Sequence, residues 1–548
     1  MNGRIRIIAA TIAFCLGSAG LASDLSGNER ALHVLNRLGY GPRPGDIDAV
    51  SRLGVERYID AQLHPEAIPL PQNLAAHLSS LPAVGMSAGE ALSQAQMERQ
   101  AAKTAAANSN STNAAAQAAG TGVKPEPKQE VKQDSKLDAK QDPLRGTVRR
   151  MVEQTAEARL IRAIESPRQL EEVMVDFWFN HFNVFAGKGL DRSLVASYER
   201  DAIRPFVLGR FRDLLGATAK HPAMLFYLDN WLSVAPGFEP DRRPTVPAAV
   251  KVSGLNENYA RELMELHTLG VDGGYTQKDV TELARMLTGW TFVPREMIRT
   301  GDTFQFEPRR HDNGDKDWLG HHVSPNGRGE GELALDILAD HPATARHISF
   351  KLAQYFVADK PSPELVTRLA HRFTETHGDI RAVLATLFAS PEFWSRSAMG
   401  GKFKTPYQYV VSSVRAADLR VSNVRPLLGT LAKLGMPLYG CQTPDGYKNT
   451  EEAWLNPDAL TRRINFATVL ASGRLPLAQP EQSANDMNTS SNSTRVKNES
   501  GMVPPVDAMQ LITTLGSTLS PRTRDAIAAA QPVLRSALVL GSPDFMRH

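Results

Sequence analysis

Apolar residues recur three and four positions apart along most of the chain, and this spacing predicts α-helices. Near the start, Leu32, Leu35 and Leu38 form a short helical pattern that Gly39 and Gly41 end. Longer patterns predict helices at about residues 146–165, 168–184, 201–218, 255–269, 276–289, 331–358, 362–375, 379–395, 405–434, 457–472 and 505–540. We therefore expect a mostly α protein with a single large multi-helical domain.

Strand-like alternation of apolar and polar residues is confined to residues 290–323. Within that stretch, residues 303–306 and 321–323 are expected to form a small β-ribbon that Asn313-Gly314 closes. No segment repeats at a fixed period, which argues against a solenoid. The strands are thus expected to be a minor addition to a helical fold.

Two stretches lack the apolar periodicity of a core. The first begins rich in Ala, Gln, Asn and Ser and ends in alternating Lys and acidic residues, and the second is rich in Ser, Asn and Thr. Both compositions are typical of disordered segments, because they offer little apolar surface to bury. We predict a signal peptide at 1–22, N-terminal helices of the main domain at 23–81, a disordered insertion at 82–142, the main helical domain at 143–478, a disordered linker at 479–505 and C-terminal helices at 506–548.

The N-terminus has the three-part layout of a secretory signal. Two arginines precede an apolar run over residues 7–16, and small residues fill most of positions 17–22. Cleavage after this stretch predicts a periplasmic or secreted protein, whereas an uncleaved signal would act as an anchor. Cleavage would also remove Cys15 and leave Cys441 alone, so no internal disulfide is expected.

Charge and motif content argue against several classes of function. The 548 residues carry 62 Lys and Arg against 59 Asp and Glu, and this net charge of +3 predicts no nucleic-acid binding. After signal cleavage, no apolar run long enough to span a bilayer remains in the sequence. The sequence also lacks a Walker phosphate loop, a Gly-x-Ser-x-Gly elbow and a His-Glu-x-x-His zinc motif. No reaction is therefore identified by a motif.

A charged stripe is predicted on the helix over residues 255–269. At about 100° per residue, Glu257, Arg261, Glu262 and Glu265 fall within one sector of a helix. Glu262 and Glu265 can share a site, whereas His267 lies on another side of a regular helix. The stripe is either a ladder of surface salt bridges or a catalytic or ligand-binding surface. A divalent metal is a possible cofactor, with Glu257 and His267 as candidate ligands.

A second polar stripe is predicted on the aromatic helix over residues 168–184. Asp176, Asn180 and Asn183 share one face of this helix, whereas His181 lies among aromatic side chains. A polar stripe on so apolar a helix must be hydrogen-bonded if it is buried. It is therefore either a structural network or part of a site, with His181 as a catalytic candidate and Asn180 as a substrate-binding candidate.

A third cluster of polar residues lies in the turn-rich strand region and contains His311, Asp312 and Lys316. A histidine beside carboxylates can act as a general base or as a metal ligand near neutral pH. The alternative is a solvated loop. His311 and Asp312 are accordingly catalytic candidates, while Lys316 and the nearby Trp290 are candidates for substrate binding.

Several segments together resemble a bacterial family catalogued as domain of unknown function 1800. They are HVLNRLGYGPRPGDI (33–47), FWFNHFNV (177–184), NENYARELMELHTLGVDGGYTQKDVTELARMLTGWTF (256–292), RRHDNGDKDWLG (309–320), HPATARHISFKLAQYFV (341–357) and PDGYKNTEEAWLNP (444–457). The resemblance implies an exported, largely helical protein, commonly encoded beside a partner similar to alkaline phosphatases and sulfatases. His347 stands where the family pattern has an apolar residue, and Lys448 where it has Pro.

Two hypotheses from different classes follow. The first is an exported enzyme of hydrolytic or metal-assisted chemistry, in which Glu262 and Glu265 are acid–base groups or metal ligands. In that enzyme Arg261 would hold an anionic substrate and His311 would be the base. The second is a non-catalytic scaffold that binds the partner protein, in which the polar stripes are structural networks.

Overall fold

Short helices and one long helix form the N-terminal part of the protein. The computed structural model describes residues 25–118, 144–239, 254–478 and 501–548. The helices of the first range are α1 Gly27–Arg37, α2 Asp46–Leu53, α3 Val55–Leu63, α4 Gln72–Ser79, α5 Pro82–Gly85 and α6 Ala88–Ala118. A capping box starts α1, because the Ser26 hydroxyl accepts from the Glu29 N–H and the Glu29 carboxylate accepts from the Ser26 N–H.

The insertion predicted to be disordered begins with regular structure instead. Helices α5 and α6 occupy its first part, and Ala88 and Leu92 of α6 are buried in the main core. Ala, Gln and Met favour helices, so a composition that indicates low complexity is also compatible with a helix. The other segments predicted to lack a fold or to be removed, residues 1–22, 119–142 and 479–500, lie outside the described residues.

The central helices surround the most aromatic part of the chain. They are α7 Leu144–Glu165, α8 Gln169–His181, α9 Asp191–Ser197, α10 Phe211–Lys220, α11 Pro222–Tyr227, α12 Glu257–Glu265, α13 Gln277–Met286 and α14 Pro294–Thr300. A π-helical segment, Tyr198–Ile203, continues α9 and gives way to a short 3-10 turn, Arg204–Phe206. The helix predicted at 201–218 is therefore three pieces, namely the end of the π-helical segment, the 3-10 turn and α10. Pro205 lacks the N–H that a continuous α-helix requires at the first of these breaks.

Several of the helices that form the C-terminal half start at a proline. The helices of this half are α15 Arg328–Asp340, α16 Pro342–Phe356, α17 Pro363–Glu375, α18 Ile380–Phe388, α19 Pro406–Ala416, α20 Arg425–Lys433, α21 Glu451–Trp454, α22 Pro457–Ala471, α23 Ala508–Leu515, α24 Pro521–Ala529 and α25 Pro532–Leu540. The long helices predicted at 331–358 and 505–540 are split, because Pro342, Pro521 and Pro532 each occupy the first position of a new helix.

The strand region contains two small antiparallel pairs rather than the predicted ribbon. Strand β1 Trp290–Thr291 pairs with β2 Gln305–Phe306, and β3 Lys316–Trp318 pairs with β4 His321–Val323. The predicted pairing of 303–306 with 321–323 is therefore wrong. Leu319-Gly320, with positive φ angles of 47° and 79°, closes the second pair directly, so β4 folds back on β3.

A large apolar core joins helices from both ends of the chain. Leu35, Trp178, Leu352 and Leu540 all belong to it and are almost fully buried. The Trp178 indole N–H donates to the carbonyl of Val207 at 3.0 Å, which satisfies the one polar group of that side chain. Within the described ranges, no helix combines the length and apolar character needed to cross a membrane. The prediction of a mostly α fold with little strand is confirmed.

Candidate functional site

A cavity of about 690 Å³ lies between α8, α16, the turn after α12 and the loop before α21. One part of its wall is polar and includes Asn180, His181, His347, Lys351, Asp445 and Lys448. The other part is apolar and includes Leu266, Leu269, Val271, Phe350, Pro363 and Val366. The size and the mixed lining suit a small organic ligand with both a polar and an apolar part.

Helix α16 brings two ionisable side chains to the cavity wall. His341 caps this helix by accepting from the Ala343 N–H at 3.1 Å, and Pro342 occupies its first turn. His347 and Lys351 are four residues apart, so they lie on one face, and both line the cavity. The cavity therefore receives an amine and an imidazole from one rigid element.

The Lys351 amino group makes no hydrogen bond or ion pair with any residue that the structure describes. Burial, together with the charge of Lys448 and opposed in part by Asp445, lowers the pKa of Lys351 to about 8. A cavity-lining amine in this state is an uncommitted donor when protonated and an available nucleophile when neutral.

Three histidines gather beside this lysine. The His181 ring lies 6.2 Å from that of His267 and 6.3 Å from that of His347. His181 Nε2 is 3.1 Å from the carbonyl oxygen of His267, to which it donates. One nitrogen of each ring, namely His181 Nδ1, His267 Nε2 and His347 Nε2, is buried without a hydrogen-bond partner. These nitrogens are available to a ligand or a water molecule.

The histidines beside the cavity are neutral at physiological pH. Burial, with a smaller contribution from the charge of Lys351, lowers the pKa of His267 to about 3 and that of His347 to about 4. Burial also holds the pKa of His181 well below its usual range, with Lys351 and the neighbouring histidines adding to the shift. Neutral imidazoles add no charge to the cavity, and each can donate one hydrogen bond and accept another.

Asn180 of α8 and Asn183, just beyond the end of that helix, fix the loop that forms the far wall of the cavity. Asn180 Nδ2 donates to the Tyr447 carbonyl at 2.8 Å, and the Tyr447 N–H donates to Asn180 Oδ1 at 2.7 Å. Asn183 Nδ2 donates to the carbonyls of Cys441 and Thr443 at 3.1 and 2.9 Å. The two asparagines of the predicted polar stripe are thus hydrogen-bonded to the backbone of this loop, whereas Asp176 pairs with Arg159 at 2.7 Å.

The same loop requires a glycine and carries an ion pair. Gly446 has φ of 69°, and a Cβ there would lie 2.2 Å from the Asn180 carbonyl oxygen. Lys448 Nζ pairs with Asp445 Oδ2 at 2.7 Å. Burial raises the pKa of Asp445, but hydrogen bonds from Lys448 and Thr443 outweigh burial and hold that pKa below its usual value. The loop therefore presents a neutralised pair to the cavity.

The charged stripe on α12 contacts α13 and the turn before it instead of forming a ladder along its own helix. The Gln277 side chain donates to Glu257 at 2.8 Å and accepts from Arg261 at 2.7 Å. The Tyr275 hydroxyl donates to Glu265 at 3.1 Å. Three of the predicted site residues are thus tied to neighbouring side chains outside the cavity wall.

Glu262 lies in the last turns of α12, and His267 follows the end of this helix. Burial raises the pKa of Glu262, and the charges of Glu265 and Asp445 raise it further. His267 follows the last helical residue, and its ring lies against Phe182 at 5.1 Å between centroids. In the described part of the chain, no group of three or more His, Cys, Asp and Glu residues is arranged to hold a metal ion.

The cluster around His311 is buried and internally paired. His311 Nε2 lies 2.9 Å from Glu330 Oε1, and its Nδ1 lies 2.9 Å from the Thr288 carbonyl. Lys316 Nζ pairs with Glu330 Oε2 at 2.6 Å. Burial raises the pKa of Glu330, but the hydrogen bonds from His311 and Lys316 outweigh it and lower that pKa below its usual value. This arrangement leaves His311 and Lys316 fully engaged within the protein.

Asp312 and Trp290 belong to the surroundings of that cluster. Two guanidinium nitrogens of Arg285 donate to the Asp312 carboxylate at 2.8 and 3.0 Å. Trp290 is fully buried against Gly331, where a Cβ would lie 2.2 Å from the indole ring. None of these residues is among those that line the 690 Å³ cavity.

Of the predicted site residues, the cavity therefore brings together only His181 and Asn180 in its wall, with His267 directly behind. Three residues of the cavity wall were not predicted as site residues from the sequence, namely Lys351, Arg346 and Asp445. The available signal was the spacing His347-x-x-x-Lys351, which places both side chains on one helix face. A lysine on an amphipathic helix is normally exposed, so this spacing alone gave no reason to expect a site.

The protein is thus predominantly helical and contains a ligand-sized cavity. A family model described as "Protein of unknown function (DUF1800)" matches residues 33–547, nearly the whole chain, and the chain belongs to this family. No curated protein and no solved structure matches the chain.

Proposed function

We propose that the chain binds a small organic anion with an apolar portion in the cavity beside α16. The observation that carries this proposal is the Lys351 amino group, which lines the cavity without an acceptor among the described residues. A buried cation is costly unless it is paired, so an anionic ligand would supply the partner that the protein does not.

The rest of the lining supports a ligand of this type. Arg346 also lines the cavity and has no ion-pair partner in the described ranges, so a second cation is available to the anion. Val271 and Phe350 are large apolar side chains that remain exposed at the cavity, at 71% and 39%. A ligand that covers them would gain from burial of apolar surface.

An enzymatic role in the same cavity is a further part of the proposal. His181 and His347 are neutral groups with an unpaired ring nitrogen, and either could exchange a proton with a bound ligand. Hydrolytic or metal-assisted chemistry, and the scaffold that acts with a phosphatase- or sulfatase-like partner, remain predictions from the sequence. A ligand that the protein binds but leaves unchanged would favour a binding protein over an enzyme.

Calorimetric titration with short-chain carboxylates tests the binding proposal. We expect isocaproate to bind and the uncharged isocaproamide to bind more weakly. The variant Lys351→Gln should lose about ten- to a hundredfold in affinity, since a hydrogen bond to a charged group contributes about 1.5–3 kcal/mol. Lys360→Gln, at an exposed position nearby, is the matched control and should bind as the unaltered protein does. Equal affinities for Lys351→Gln and the control would refute the proposal.

We also propose that the chain is exported, on the basis of the basic, apolar and small-residue order of residues 1–22. Cell fractionation with N-terminal sequencing of the purified protein tests this. An N-terminus near residue 23 in the periplasm or medium is expected, and an intact N-terminus on cytoplasmic protein would contradict it.

A further inference from the structure

Lys351 has the surroundings of a reactive amine as well as those of an anion-binding cation. We propose that Lys351 forms an imine with an α-keto acid that carries an apolar side chain. This inference rests on the proposed function, because the carboxylate of the keto acid is the anion and the apolar wall receives its side chain.

The geometry provides each part that such a ligand needs. The amine projects from a regular helix into a cavity of about 690 Å³ and is not engaged by any described residue. Arg346, on the same helix, offers a separate cation for the carboxylate. Leu266, Val271 and Phe350 offer apolar surface for the rest of the molecule. The carbonyl carbon of the ligand can then meet the amine while its two ends are held elsewhere.

The reaction needs no oxidant or reductant. The nitrogen lone pair of neutral Lys351 attacks the carbonyl carbon, a C–N bond forms, and the carbonyl oxygen takes up a proton to give a carbinolamine. Loss of the hydroxyl as water, with a proton from a neighbouring acid and release of the proton on nitrogen, leaves the C=N bond. One amine and one ketone thus yield one imine and one water molecule.

Neutral histidines are suited to move the protons in these steps. His347 lies one helical turn from Lys351, and His181 approaches from α8, each with an unpaired ring nitrogen. His181 Nε2 donates to the His267 carbonyl, so its Nδ1 carries the lone pair that can accept a proton. These two histidines are therefore proposed as proton carriers rather than as nucleophiles.

The protonation state of Lys351 favours the reaction near neutral pH. With the pKa of Lys351 at about 8, about a quarter of its amino groups are neutral at about pH 7.5, against roughly one in a thousand for an exposed lysine. The charged groups that influence this amine are Lys448 and Asp445 of the facing loop. The histidines on α8, α16 and the turn after α12 are uncharged in this range.

Borohydride trapping tests the imine. Purified protein is incubated with α-ketoisocaproate, reduced with sodium borohydride and examined by intact mass and peptide mapping. We expect about one reduced adduct per chain, located at Lys351, with labelling that rises with pH to a plateau above about pH 8. Lys351→Arg should give no adduct, and the exposed Lys360→Arg should be labelled like the unaltered protein. Thermal melting confirms that both variants are folded.

The choice of variant separates this inference from the proposed function. Lys351→Arg keeps the positive charge, so it should still bind isocaproate, which lacks the ketone. Binding of isocaproate without an adduct at Lys351 would overturn the imine and leave anion binding intact. Adducts spread evenly over exposed lysines would also overturn it. Failure of both isocaproate and α-ketoisocaproate to bind would overturn both proposals.

Discussion

Two groups in the described part of the protein, each a lysine with histidine, differ in one respect. In the first, Lys316 and His311 share the carboxylate of Glu330 at 2.6 and 2.9 Å. In the second, Lys351 and His347 line a cavity, and the lysine has no partner among the described residues. The same residue types thus complete a structural network in one region and leave donors and acceptors open in the other. Pairing, rather than residue type, separates a structural group from a candidate site.

The largest expected effect is the loss of the carboxylate that completes the first group. Glu330→Gln removes the nearer counter-ion of the buried Lys316 and leaves only the Asp312 carboxylate, 3.9 Å away, so the free energy of unfolding should fall by about 3–5 kcal/mol. Denaturant unfolding at neutral pH measures this. Asp336→Asn, on the same helix but exposed in its pair with Arg212, is the control and should cost less than about 1 kcal/mol. A loss for Glu330→Gln as small as that of the control would contradict the comparison.

The second group should respond in the opposite direction. Lys351→Met removes a charge that the fold does not pair, so we expect the protein to become more stable by about 1–3 kcal/mol at pH 7. Folding lowers the pKa of Lys351 from 10.5 to about 8, so the charged amine destabilises the folded state. This destabilisation reaches its full size below pH 8. The gain should therefore shrink between about pH 8 and 10.5 and vanish above that range.

Melting curves of Lys351→Met and Lys360→Met across that pH range provide the measurement. The exposed Lys360→Met should change stability by less than about 0.5 kcal/mol at every pH. If Lys351→Met were instead destabilising at pH 7, Lys351 would have a structural role like that of Lys316.

The third effect concerns the acid side of the pH range. His347 has its pKa lowered from 6.5 to about 4, so between these values the unfolded chain takes up a proton that the folded protein does not. Stability should therefore fall as the pH drops from 6.5 to about 4. His347→Gln removes this contribution, and its stability relative to the unaltered protein should rise by up to about 2 kcal/mol over that interval. A relative stability that stays constant with pH would show that His347 is not held neutral.

The smallest expected effect lies on α12. The pKa of Glu262 is raised by burial and by the charges of Glu265 and Asp445, so Glu262→Gln relieves repulsion. We expect a gain of about 0.5 kcal/mol or less above pH 6 and unchanged isocaproate affinity. Unfolding and calorimetry on the same sample test both. Loss of ligand binding in Glu262→Gln would move the site from the cavity toward the charged stripe.

The sequence predicted the helical class because apolar spacing of three and four residues reports directly on one buried helix face. Boundaries were less predictable, since Pro342 can either interrupt a helix or start one, and spacing continues across it. The polar stripe over residues 176–183 was predicted to be either a structural network or part of a site. Asn180 and Asn183 form hydrogen bonds of the structural kind. Its partners could not be predicted, because they are backbone atoms more than 250 residues away in sequence.

The candidate site was harder to predict than the fold. His181 was noticed for its aromatic neighbours, but Lys351 resembles any lysine on an amphipathic helix. Lys351 differs from such a lysine because it has no partner among the described residues. That property depends on how α8, α16 and the loop before α21 pack together. His311 shows the reverse case, since carboxylates near it in sequence suggested a site, while Glu330 on α15 completes a network.

The hydrogen bonds from Asn180 and Asn183 reach only main-chain atoms of the loop at 441–447. Its attachment to α8 therefore does not depend on which side chains the loop carries, apart from the glycine required at 446. Position 448 can change in size and charge while the path of the backbone stays the same. Relatives that keep the two asparagines and this glycine can therefore differ in ligand preference. The difference would come from substitutions at the loop's other positions, while the backbone of the loop keeps its path.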